Sequence, residues 1–215
     1  MEKLIIWGST GHAIVLSDFI SILGYSLIAL FDNNRNVKSI FNTTPLFYGI
    51  QGFNEWKKSN TDTRVNGLVA IGGNKGKDRR EIQSFFEING IHIISAIHPR
   101  AFVSSSAEIG KGSQILANAV VCARSKLGDA TIINTSATVD HECILGAGVH
   151  IGPGACLAGC VAVGENSFIG TGATVLPRLC IGNNCIIGAG AVVTKNIPDN
   201  VVAYGNPAKI KKNIG

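Results

Sequence analysis

Five histidines, His12, His92, His98, His141 and His150, are the side chains of this 215-residue chain best suited to proton transfer near neutral pH. His141 stands in the run Asp140-His141-Glu142. These three ionisable residues lie within residues 103–193, a stretch with only 4 basic and 5 acidic side chains. Three consecutive ionisable residues in so charge-poor a stretch make His141 a candidate general base. Adjacent residues on a straight strand face opposite ways, so pairing His141 with Glu142 requires a bend or bulge at this point. A structural or merely exposed histidine is the alternative. His150, nine residues on, reads equally as a packed turn residue.

The six cysteines, at 122, 143, 156, 160, 180 and 185, form no CxxC pair, which argues against a zinc ribbon or a thioredoxin-like site. They read as small buried apolar side chains in a reducing compartment. Net charge is +5, and no block interleaves Lys and Arg with aromatics, so nucleic acid is not an expected partner. No apolar run reaches the roughly 18 residues a membrane span needs. The opening Met1-Glu2-Lys3-Leu4-Ile5-Ile6-Trp7-Gly8 reads as a strand and lacks the features of a signal peptide, so a cytoplasmic location is expected.

The elements that must position His141 come from a repeat. Every sixth residue from Ile97 to Val193 is Ile, Leu or Val. The residue after it is Gly at 110, 128, 146, 152, 164, 170, 182 and 188. The residue four after it is mostly small, as in Ala101, Ser113, Ala119, Ser125, Ala137, Ala155, Ser167 and Ala173. A period of six belongs to neither an amphipathic helix nor a simple strand. It fits short strands joined by tight turns and wound into a coil, with the aliphatic inward and Gly and small residues bending the corners. The low charge of this stretch suggests faces packed against another copy of the chain.

Residues 1–96 alternate differently. Strands are expected at 3–7, 26–31, 65–71 and 91–97, with helices over 13–23 and 78–89. This predicts a small parallel α/β sheet, whose ligands sit at the carboxyl ends of strands. Those ends carry Gly8-Ser9-Thr10-Gly11-His12, Asp32-Asn33 and Gly72-Gly73. A glycine turn opening a helix offers backbone N–H groups to phosphate, and Asp32 is spaced to take ribose hydroxyls. The turn is not GxGxxG, and the block is too short for two mononucleotide halves, so a single nucleotide fits better than a dinucleotide. A plain tight turn is the other reading.

A small α/β block followed by a hexad coil resembles the hexapeptide-repeat acyltransferases. It is most similar to the N-acetyltransferases of nucleotide-linked 4-amino-deoxysugars and to the related sialic-acid O-acetyltransferases. The stretches carrying the likeness are Trp7–His12, Ala70–Asn74, Asn134–Ser136, Asp140–Cys143 and Gly205–Lys209. The resemblance implies a Rossmann-like domain over 1–96 and a left-handed parallel β-helix of 18-residue coils over 97–215. It implies a homotrimer that binds acetyl-coenzyme A between subunits, with no metal. It assigns His141 as general base and Glu142 as its orienting partner. His150, Thr171 and Ala189 are implied as coenzyme contacts, although Ala189 stands where the family often has Gly. Thr10, Gly11, His12, Asp32, Asn33 and Gly72 are implied as contacts to the nucleotide sugar. Asn33 replaces a second acidic residue common in the family, a departure that bears on nucleotide preference. The activity implied is acetyl-coenzyme A-dependent N-acetylation of a nucleotide-linked 4-amino-4,6-dideoxysugar in surface-glycan or O-antigen biosynthesis. O-acetylation of a sialic-acid-like sugar and a non-catalytic sugar-nucleotide scaffold are the alternatives.

Overall fold

The computed structural model describes residues 1–39, 41–61 and 64–214. The chain divides into two compact units. The first comprises Met1–Ile71 and Glu81–Ala96, the second Gly72–Arg80 and the chain from Ile97 onward. The expected boundary at residue 96/97 is therefore not the only crossing, because Gly72–Arg80 clusters with the repeat.

In the first unit, β1 (Glu2–Trp7), β2 (Tyr25–Asp32), β3 (Leu46–Tyr48), β4 (Asn66–Val69) and β5 (His92–Ile93) form one sheet. Its order is β3-β2-β1-β4-β5, with every pair parallel. Helices α1 (Gly11–Ile20), α2 (Gly49–Lys58) and α3 (Gly76–Ile88) supply the crossovers that parallel strands require, α3 starting in the second unit. β3 and α2 fall in residues 33–64, where no element is evident from sequence. They form because Phe47, Phe53 and Trp56 join Trp7, Phe31 and Phe86 in one aromatic core, as in the stacked Trp7–Phe31 pair at 5.6 Å. The expected strand 91–97 is broken into two two-residue strands.

In the second unit, two-residue strands recur every six residues. Up to Thr174–Val175 each pairs in parallel with the strand 18 residues on, as Val120–Val121 does with Thr138–Val139 and Thr138–Val139 with Cys156–Leu157. Strands thus fall in turn into three sheets, and one circuit of the three is one coil. The hexad aliphatics point inward. Those from Ile115 to Val193 are buried, while Ile97, Val103 and Ile109 in the first coil are only partly covered. The small residues four positions later fill the inner corners; Ala119, Ala137, Ala155 and Ala173 are fully buried.

The bends have a different cause from the one expected. The Gly residues following the aliphatics do not carry the left-handed backbone. That conformation falls two residues later, at Asn118, Arg124, Ala130, Ser136, Glu142, Gly148, Gly154, Cys160, Asn166, Gly172, Arg178, Asn184 and Gly190. The glycines after the aliphatics are needed for close approach of successive coils. A Cβ at Gly146 would lie 2.7 Å from the backbone N of Glu165, and one at Gly164 lies 2.6 Å from that of Asn183.

Gly72–Arg80 joins the second unit through a buried arginine. Arg79 is fully buried, and its guanidinium donates to the carbonyls of Ala130 and Gly148, each at 2.7 Å. Burial pushes its pKa down to about 10, so it remains a cation at neutral pH and its charge is spread over carbonyl dipoles. Arg80 donates to the Glu165 carboxylate at 2.7 Å.

Candidate active site

The turn between Thr138–Val139 and Ile144–Leu145 carries Asp140, His141, Glu142 and Cys143. The bend that pairing requires is present. Glu142 has φ +58°, which swings its carboxylate back toward its neighbour. The His141 Nδ1 and Glu142 Oε2 atoms are 3.3 Å apart. Asp140 does something else: its Oδ1 accepts the His141 backbone N–H at 2.6 Å and so fixes the turn. Both partners of the pair are about half exposed, 52% and 46% for the side chains, which leaves the imidazole open to a reactant.

The adjoining coils complete the setting. The His141 carbonyl accepts the Cys160 N–H, and Glu142 donates its N–H to the Ala123 carbonyl, each at 2.9 Å. The imidazole lies across Gly159, where a Cβ would come within 2.6 Å of the ring. Arg124 approaches the second Glu142 oxygen at 3.8 Å. His141, Glu142 and Cys160 each offer a donor atom within 4.8 Å of the others. Gly159 does not stand out in the sequence, and Cys160 does so only as one of six cysteines. Stepping 18 residues from His141 and Glu142 would have found them.

His150 is on another sheet, 4% exposed, and packs edge-on to Phe168 at 5.2 Å. Its Nδ1 faces the Gly73 carbonyl at 3.2 Å, so that nitrogen carries the proton. Its Nε2 then accepts from Asn134 at 3.0 Å. Both ring nitrogens are thus engaged, which suits a positioning histidine. Thr171 and Ala189 are exposed on the turns after Phe168–Ile169 and Ile186–Ile187. Those turns share one edge of the coil. His141 and Glu142 lie on the next edge, across the sheet that holds Thr138–Val139 and Cys156–Leu157. One chain therefore does not bring His141 and these two residues together.

In the first unit, Gly8 ends β1 with φ +105°, and a Cβ there would collide with the Ala70 carbonyl after β4. Thr10 and Gly11, both exposed, and half-buried His12 follow at the start of α1. Asp32 is already occupied. Its Oδ2 accepts the Ser9 N–H at 3.0 Å and the Ser9 hydroxyl at 2.7 Å, and its Oδ1 accepts the Asn34 N–H at 2.9 Å. Its first task is to hold the glycine turn in place. Asn33 is exposed beside it. Gly72 belongs to the second unit, not to the one that carries Thr10.

The cysteines depart from expectation. All six are free, and only Cys143 and Cys185 are buried; Cys156 and Cys180 are exposed. Burial pushes the Cys143 thiol up to about 11, so it is not a nucleophile near neutral pH.

Comparison with known proteins decides the family. Residues 160–195 match the model of the bacterial transferase hexapeptide (six repeats), and residues 3–84 match the PglD N-terminal domain. PerB of Caulobacter crescentus, solved with CoA and GDP-perosamine, is 36% identical over 99% of this chain and 98% of its own, with a TM-score of 0.88. The chain belongs to the hexapeptide-repeat sugar acetyltransferases. It is, as a member, a coenzyme A-dependent enzyme. The acetyltransferase domain of PglB from Neisseria gonorrhoeae, solved with acetyl coenzyme A, is 37% identical over 98% of this chain and 99% of that one, with a TM-score of 0.85. WeeI of Acinetobacter baumannii, at 24% identity over 98% of this chain and all of its own, shares the fold with a TM-score of 0.86. Histidine-to-asparagine and histidine-to-alanine mutants of the Caulobacter perosamine N-acetyltransferase have also been solved with CoA and GDP-perosamine. Among the described residues, no helix is long and apolar enough to cross a membrane.

Proposed function

We propose that this acetyltransferase moves the acetyl group of acetyl-coenzyme A directly to the 4-amino group of a nucleotide-linked 4-amino-4,6-dideoxysugar, with His141 as general base. The observation that carries the reading is the left-handed Glu142, which sets its carboxylate 3.3 Å from His141 Nδ1. That carboxylate holds the proton on Nδ1 and leaves the Nε2 lone pair for the amine. The amine nitrogen attacks the thioester carbonyl and its proton passes to Nε2. The tetrahedral intermediate then expels the coenzyme thiolate, which takes the proton back from Nε2, and the amide remains. Main-chain N–H groups at Thr171 and Ala189 are the candidate coenzyme contacts, and His150 supports that site from its buried position. The Thr10–His12 turn, Asp32, Asn33 and Gly72 are the candidate contacts to the nucleotide sugar.

His141 and the Thr171/Ala189 turns occupy different edges of one coil, so a complete site needs a second copy. The sheet between those edges directs Phe102, Val120, Thr138, Cys156, Thr174 and Val192 outward with no charge among them, as a packed interface between copies requires. A homotrimer of left-handed coils, with a coenzyme cleft at each subunit boundary, satisfies both observations. The six free thiols suit a reducing cytoplasm, and the product class suits surface-glycan or O-antigen assembly.

The test is thiol release from acetyl-coenzyme A with UDP-, dTDP- and GDP-linked 4-amino-4,6-dideoxysugars and with free sialic acid. Turnover of one amino sugar, lost in His141→Ala, is expected. Turnover of sialic acid alone, or full activity in His141→Ala, overturns the reading.

A further inference from the structure

The base and its carboxylate are not the only metal-ligating groups in the turn. Cys160, one coil on, presents its sulfur 4.0 Å from the same Glu142 Oε2 that faces His141 Nδ1. The three donor atoms lie within 4.8 Å of one another. Zinc–ligand bonds of about 2.0–2.3 Å in a tetrahedron place ligands roughly 3.4–3.6 Å apart. Two of the separations here, 3.3 and 4.0 Å, lie close to that value, and no pair of donors exceeds 4.8 Å.

The ligand set is also pre-ordered. Glu142 and Cys160 both hold left-handed backbone, at φ +58° and +61°. The backbone bond from Cys160 N–H to the His141 carbonyl ties the two turns together. Small side-chain rotations, with no movement of the chain, would close the donors on an ion. Imidazole nitrogen, carboxylate and thiolate together are the mixed donor set of a borderline-soft divalent cation, unlike the all-oxygen shells of Mg²⁺ or Ca²⁺.

We propose that His141, Glu142 and Cys160 form a binding site for Zn²⁺ or a similar thiophilic divalent cation, and that the ion switches the enzyme off. The ion is an inhibitor here, with no part in the transfer. Binding releases the Cys160 thiol proton to solvent, and the thiolate sulfur bonds the metal. Coordination at His141 Nδ1 displaces the proton from that nitrogen, and the neutral ring then carries its proton on Nε2. The lone pair that would accept the amine proton is gone. The inhibitory consequence rests on His141 being the base; the binding site does not.

The experiment is a Cd²⁺ titration of the full chain, read by thiolate-to-cadmium absorption in the ultraviolet, which needs no sugar substrate. One tight equivalent is expected in the wild type, beyond the weak background of exposed Cys156 and Cys180. It is expected to disappear in Cys160→Ser and in Cys160→Asn, a second variant whose side chain suits the left-handed backbone. In His141→Asn it weakens at least tenfold. Retention of the tight equivalent in both Cys160 variants overturns the site. In the thiol-release assay, Zn²⁺ is expected to slow the wild type and not Cys160→Ser. Tight binding with an unchanged transfer rate would overturn the switch and leave the metal site standing, since the titration of His141→Asn reports the ligand and the rate of His141→Ala reports the base.

Discussion

The imidazole of His141 lies across the α-carbon of Gly159, 18 residues and one full coil away. Glycine is there for the side chain above it, since Gly159 has no left-handed backbone to demand it. The imidazole is thereby held between a bare backbone below and the Glu142 carboxylate at its side.

Gly159→Ala is the direct test of this seat. The added methyl would sit within 2.6 Å of the ring and push it aside. A displacement on the order of 1 Å costs ~100-fold in rate. Steady-state kinetics should show kcat falling by about that factor while KM for acetyl-coenzyme A stays within a few-fold. Unchanged kcat would mean the ring tolerates the move.

The pair itself separates by substitution. His141→Ala should lower kcat by ~100- to 10,000-fold, the range for loss of a general base. Glu142→Gln keeps the backbone and removes the charge that orients the imidazole, so a loss of ~10- to 10,000-fold is expected, no larger than that of His141→Ala. A Glu142→Gln enzyme slower than His141→Ala would assign the larger role to the carboxylate.

Arg79 is predicted to matter for stability without touching chemistry. Its removal in Arg79→Ala leaves the Ala130 and Gly148 carbonyls without their donor. Unsatisfied buried acceptors cost about 1–3 kcal/mol each, so a fall of several degrees in Tm is expected by calorimetry. Arg79→Lys should recover only part of it, because an ammonium cannot span both carbonyls as a planar fork does.

Coil spacing gives a pair of contrasting glycines. Gly164→Ala should destabilise by about 1–3 kcal/mol, as overpacking does, because its Cβ meets the Asn183 backbone at 2.6 Å. Gly172→Ala has open space and pays only for its φ of +66°, about 1 kcal/mol. Denaturant titration that ranks them the other way would refute the close-approach account.

The thiols should sort by burial. Iodoacetamide at neutral pH should alkylate Cys156 and Cys180 and spare Cys143 and Cys185 until the chain unfolds. Burial raises the Cys143 pKa from 9.0 to about 11 in the native state. The stabilisation from the neutral thiol is complete below pH 9 and is lost as pH rises from 9 through 11. Chemical denaturation of wild type against Cys143→Ala over that window should show a steeper decline in the wild type.

The hexad coil was legible because each aliphatic answers to the same local geometry, repeated in every strand pair from Ile115 to Val193. The charge-poor setting of Asp140-His141-Glu142 and the strand ends of the first unit were legible for the same reason: residue type and spacing are linear facts. Other features depend on which distant residues meet. β3 and α2 form because Phe47, Phe53 and Trp56 find the Trp7–Phe31 core, and their own segment is otherwise polar. Gly72–Arg80 sides with the coil because the Arg79 guanidinium finds carbonyls 51 and 69 residues away. Cys160 reaches Glu142, and Gly159 seats His141, only through the 18-residue winding. A residue's type declares what chemistry it can do; packing of one coil on the next decides which partner it does it with.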